Sequence, residues 1–175
     1  MKNPRICRLL PLWAEVFEDL DAEPVFCFAD RSPLEVAQSF RSQHGLSIEH
    51  GLHYDIANHL DAERATRGQR RAFMSYETLL TDWRGAMAGV AAALGVELPA
   101  LAANEADVDA FLEPRLRHHQ AAAAPLAATG LHDLAMEVHA AFARLSVSPG
   151  DRRAIETLDQ LHGSLAAQRD ASRRV

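Results

Sequence analysis

The chain has 175 residues, 48% of them hydrophobic, a length and composition that suit one domain with a substantial core. Its formal net charge of −6 argues against a nucleic-acid-binding surface, which normally shows as a basic patch or stripe, although a single bound nucleotide needs only a few local charges. No apolar run approaches the roughly eighteen residues of a membrane span, and the charged, proline-interrupted start is unlike a signal peptide, so the expected compartment is cytoplasmic with no membrane partner. Cys7 and Cys27 both sit among apolar neighbours and read as buried, reduced thiols rather than a disulfide.

In chain order, a proline-containing helical stretch is expected over 8–20, followed by a buried apolar strand over 25–29. Ser32-Pro33-Leu34-Glu35 then supplies an N-cap, a proline at the first helical position and a glutamate three residues on, the pattern of a capping box. The helix it opens, 33–41, carries Leu34, Val36, Ala37 and Phe40. The next, 47–66, carries Ile48, Leu52, Ile56 and Leu60 at steps of four, a core-facing stripe. Residues 70–75 read as a second short strand, and helices between two strands imply a parallel pair joined by a right-handed crossover.

A single helix over 78–94 is expected to present Leu79, Leu80, Trp83, Met87, Val90 and Leu94 on one face and to stop at Gly95. Residues 107–112 form a short helix ended by Pro114, and 120–129 read as an alanine-rich connector. Leu131, Leu134, Val138, Phe142 and Leu145 mark another helix. Ser148-Pro149-Gly150-Asp151 caps a last one carrying Ile155, Leu158, Leu161 and Leu165, with fraying expected after Gln168. The fold class is α/β, an incomplete parallel sheet of two or three strands under a predominantly helical covering. Residues 1–120 make the α/β portion, and 121–175 a helical extension packed on the same domain. Parallel strands want both faces and neighbours covered. Either further strands come from a partner or an upstream segment, or the N-terminal residues add a third strand stub.

The chemistry concentrates where the first strand empties into its helix. Arg31 stands at the strand end, and Ser39 lies about two helical turns, roughly 10 Å, along the face that starts at Ser32. A guanidinium fork and a hydroxyl so placed suit gripping one phosphate from two sides. Arg31, Pro33 and Ser39 resemble the segment by which sulfotransferases hold the 3′-phosphate of 3′-phosphoadenosine 5′-phosphosulfate. Lys2-Asn3-Pro4-Arg5 followed by Leu9-Leu10-Pro11-Leu12-Trp13, Ser75-Tyr76-Glu77-Thr78-Leu79-Leu80 leading to Ala92-Ala93-Leu94-Gly95, and Arg115-Leu116-Arg117-His118-His119 are similar, in the same order, to further blocks of the bacterial sulfotransferase-like family.

The resemblance implies a P-loop-like ancestry and transfer of a sulfonate from that nucleotide co-substrate to a hydroxyl or amine acceptor. Arg31, Ser39 and Tyr76 would bind the nucleotide, Tyr76 beside the adenine, and Lys2 would lie near the sulfonate, with Asn3 where the family more often has aspartate. The family's glycine-rich loop for the 5′-phosphosulfate has no counterpart here: Gly45, Gly51, Gly68, Gly85, Gly89 and Gly95 are scattered singly among helical patterns. The chain is therefore expected to be inactive without a missing N-terminal half, which is one expected partner, self-association being another. No general base emerges. His50 and His53, one turn apart, lack a third ligand and read as solvated or cap-adjacent, so no metal is expected. The competing reading is a non-catalytic helical interaction module built on the same scaffold, docking through an exposed sheet edge.

Overall fold

In a computed structural model of the chain, residues 9–112 and 130–173 are described, with side chains as far as residue 166. The elements are α1 (Leu10–Asp19), β1 (Val25–Asp30), α2 (Pro33–His44), α3 (Ile48–Ala65), β2 (Arg70–Ser75), α4 (Tyr76–Thr81), α5 (Trp83–Leu94), α6 (Pro99–Ala103), α7 (Glu105–Phe111), α8 (Gly130–Val147) and α9 (Arg152–Arg173). The described chain is mostly helical around one parallel pair of strands, an α/β arrangement.

β1 and β2 pair residue for residue from Val25 with Arg70 to Asp30 with Ser75, so Phe26, Phe28, Asp30, Arg71, Phe73 and Ser75 share one face. That face meets α3 and α8. Phe28 and Phe73 stack at 4.8 Å between ring centres, and each meets the ring of Phe142 at 5.7 Å. The stripe read from α3 holds: Leu52, Ile56 and Leu60 are fully buried, Ile48 packs at the margin, and Val138, Phe142, Leu145, Leu158, Leu161 and Leu165 complete the same core from α8 and α9. Gly51 lets α2 and α3 approach closely, since a methyl group there would come within 2.6 Å of the Ala37 Cα.

On the opposite face, Ala72 and Met74 of β2 pack with Val90, Leu94, Met87 and Val96 at α5. Val25, Cys27 and Ala29 of β1 remain exposed there. This corrects the expectation of a strand buried on both faces and of a buried Cys27 thiol: α5 packs mainly on β2 and leaves these three β1 residues exposed. Cys7 lies outside the described residues, as do the connector and the first residues that were to add a strand stub.

The single helix expected over 78–94 is two. Asp82, at φ −147, turns its carboxylate to accept the Gly85 N–H at 2.9 Å, capping α5 and ending α4. The short helix read over 107–112 stands as α7, and α6 precedes it where no element was read. As read, Gly95 closes α5 and the 148–151 segment caps α9, where Asp151 accepts the Ala154 N–H at 2.9 Å; Ser47 also accepts the His50 N–H and Gly45 closes α2 in the left-handed region.

Candidate functional site at the carboxyl end of the sheet

Asp30 and Ser75 are paired neighbours at the ends of β1 and β2, so the chain leaves the sheet side by side as Arg31 and Tyr76. Ligands of open parallel sheets bind outside this edge. The Arg31 guanidinium carbon stands 4.9 Å from the centre of the Tyr76 ring, and Arg31 Nε donates to Glu35 Oε2 at 2.9 Å. Both partners of that ion pair are mostly shielded, at 24% and 10% exposure of the side chain. The terminal nitrogens of the guanidinium carry the rest of its fork of donors.

The expected capping box does not form. The Ser32 side chain makes no cap hydrogen bond to α2, and Glu35, which was to reach back to the cap, is held by Arg31 instead. An arginine one residue before the cap offers the carboxylate a charged partner, stronger than a backbone N–H. Ser39 is half-buried one turn beyond Glu35 on the same helix face, and its Oγ accepts from Gln43 Nε2 at 3.2 Å. The structure thus brings Arg31 and Tyr76 into contact, while the described hydrogen bond of Ser39 goes to Gln43.

A second group of side chains begins at Asp30, the residue before Arg31. Asp30 is buried and faces two imidazoles: His59 Nε2 of α3 lies 3.4 Å from Oδ1, and His139 Nδ1 of α8 lies 2.6 Å from Oδ2. The latter contact is a close ion pair whose alignment is poor for a hydrogen bond. His59 Nδ1 in turn donates to the Asp55 backbone oxygen at 2.9 Å and stands 3.2 Å from its carboxylate, with the ring edge-on to Phe142. The result is an alternating row, Asp55, His59, Asp30, His139, joining α3, β1 and α8.

Burial by itself lowers the His59 pKa. The charge and hydrogen bonds of Asp55 and the charge of Asp30 outweigh it and push the group up to about 9. His139 is raised from its ordinary value by direct contact with Asp30. His59 is therefore cationic near neutral pH.

Sequence reasoning passed over this row and weighed other histidines. His50 is cap-adjacent, as read, with Nδ1 2.8 Å from Ser47 Oγ. His118, His119 and Lys2 lie outside the described residues. The available signal was Asp55, His59 and Glu63, titratable residues at steps of four flanking the apolar stripe of α3. No group of His, Cys, Asp and Glu suited to a metal ion occurs among the described residues, and no described helix is long and apolar enough to cross a membrane. No family model, curated protein or solved structure matches the chain.

Proposed function

We propose that the chain is the nucleotide-binding part of a sulfotransferase of P-loop-like ancestry, with Arg31 as the ligand of a phosphate and Tyr76 as the platform beside it. The observation that carries this reading is the contact of Arg31 with Tyr76, two residues distant in sequence that leave adjacent parallel strands at the edge where ligands of such sheets bind. The guanidinium is aligned by Glu35 on one side and the aromatic ring on the other, which lowers the entropy lost when it grips a phosphate. Ser39, one turn beyond Glu35, is a second donor once its hydroxyl turns from Gln43. The co-substrate of this reading is 3′-phosphoadenosine 5′-phosphosulfate, and the acceptor a hydroxyl or amine.

No glycine-rich loop accompanies these residues, so the activity proposed for this chain is binding, and sulfonate transfer requires a donor loop from elsewhere. Calorimetric titration with adenosine 3′,5′-bisphosphate tests it. Arg31→Ala is expected to abolish measurable binding, and Tyr76→Ala and Ser39→Ala to weaken it by about three- to thirtyfold each. Absence of binding by folded wild type removes the nucleotide reading. A second reading, a non-catalytic interaction module, then leads, supported by the uncovered β1 face of Val25, Cys27 and Ala29.

A further inference from the structure

We propose that β1 pairs antiparallel with β1 of a second copy of this chain, about a two-fold axis normal to the sheet at Cys27, so that each two-stranded sheet is half of a four-stranded one. The inference names the partner of the uncovered β1 surface and stands whether or not the nucleotide reading does.

β1 lacks a neighbour on its outer side. Among the described residues the sheet has two strands, and no backbone hydrogen bond outside the regular elements reaches 25–30. In a parallel pair alternate residues turn their N–H and C=O away from the partner strand, so half of the β1 backbone groups look outward with no strand to meet. Burial falls away in the same direction. Ala72 and Phe73 of β2 are buried, whereas their partners on β1, Cys27 and Phe28, are exposed and half-buried, and Phe26 is half-buried too. The helices that cover the pair, α5 on one face and α8 on the other, both sit mainly over β2. Edge strands that remain single carry devices against pairing, such as a charge, a proline, a bulge or a covering helix. From Val25 to Ala29 the strand has no charge and no proline, and its register with β2 runs unbroken from Val25 to Asp30, without a bulge.

Self-complementarity selects a second copy as the occupant. A two-fold axis normal to the sheet puts the α8 faces of both copies on one side, and residues directly opposite then share a face. Centred on Phe28, such a pairing sets Phe26 opposite the Asp30 carboxylate of the other copy. Centred on Cys27, it sets Val25 opposite Ala29, Phe26 opposite Phe28 and Cys27 opposite its own counterpart, apolar pairs throughout, with the aromatic ones on the core face. Asp30 then stays beyond the apolar rows, with its two histidines. The same register places Glu23 of each copy opposite Arg31 of the other, opposite charges at both ends of the interface. Two paired strands make a small interface, so the expected dissociation constant is about 1–100 µM.

Sedimentation of the full chain between about 1 and 300 µM tests this, and a reversible monomer–dimer equilibrium in that range is the expected result. Cys27→Lys alters an exposed position and sets two like charges opposite each other at the axis. It is expected to weaken the dimer about tenfold without changing the far-ultraviolet circular dichroism, while Cys27→Ser keeps the dimer. In Cys7→Ser protein, a short bifunctional maleimide is expected to join the two Cys27 side chains, whose Cβ atoms stand about 5 Å apart in directly opposite residues, a readout that leaves β1 unaltered. Monomer throughout the concentration range overturns the inference. So does a dimer as tight in Cys27→Lys as in wild type, or the absence of a Cys27 cross-link where the dimer prevails. Calorimetry with adenosine 3′,5′-bisphosphate decides the nucleotide reading separately.

Discussion

Glu63 and Asp30, buried acidic side chains along the flank of α3, are neutralised by different chemistry. Glu63, 1% exposed, receives Arg67 through Nε at 3.0 Å and Nη2 at 2.6 Å, and Arg71 Nη1 at 2.9 Å. Arg67 extends the network to Asp159 of α9 at 2.8 Å. Asp30, 6% exposed, receives only imidazoles. Guanidinium groups stay charged at every pH a folded protein meets, whereas imidazole charge is conditional. The Glu63 network is thus a permanent fastening of α3, β2 and α9, and the Asp30 row a fastening of β1, α3 and α8 that answers to protons. The responsive one begins at Asp30, the residue before Arg31.

The largest expected effect breaks the permanent side. Glu63→Ala leaves the mostly buried Arg71 guanidinium without its carboxylate, and removing one partner of a buried pair costs about 3–5 kcal/mol. Urea unfolding near neutral pH measures it. A loss below about 1 kcal/mol would mean that water replaces the carboxylate and that the network does not fasten the three elements.

The next effect sharpens the comparison through pH. The folded-state pKa of His59 is raised to about 9 from an ordinary 6.5, so its contribution is complete below the ordinary value and disappears as pH rises through about 9. His139, raised by Asp30, acts in the same direction. Unfolding free energy is therefore expected to decline by about 1–3 kcal/mol between about pH 6.5 and pH 9.5. His59→Gln flattens that decline, whereas Glu63→Ala shifts the whole profile downward without changing its slope. An equal alkaline slope in wild type and His59→Gln would assign the decline to other groups.

The contrast also marks what was legible in the sequence. Spacing along one helix is local information, so the stripe of Ile48, Leu52, Ile56 and Leu60 and the six-residue strand Arg70–Ser75 were read as they stand. So was the stop at Gly95. Asp82 was misread because the apolar face continues across it, from Leu79 and Leu80 to Trp83 and Met87, and the break depends on one carboxylate turning to Gly85. Cys27 was misread because strand periodicity cannot say how far a helix extends over a sheet. At the site, Arg31 was legible from the strand, proline and helix around it, and its contact with Tyr76 follows from two strands pairing in register. The Asp30 row needed α8, which returns to the sheet after most of the chain has passed. No local pattern announces that His139 will meet Asp30.

The smallest expected effect sets the floor against which both buried fastenings are judged. Glu23 Oε2 lies 3.3 Å from Arg70 Nη2, with side chains 74% and 43% exposed, so the attraction acts through water and is screened by salt. Arg70 also donates through Nη1 to the Leu94 carbonyl at 3.1 Å, which secures the end of α5 whether or not Glu23 is present. Glu23→Ala is therefore expected to change stability by less than about 0.5 kcal/mol, with no dependence on pH between neutrality and the alkaline range. Thermal unfolding of the variant at low and high salt checks this. A loss approaching that of Glu63→Ala would show that burial is not what separates the strong ion pairs of this fold from the weak ones. Desolvation and the orphaned partner would then no longer explain why Glu63 and Asp30 are matched so fully.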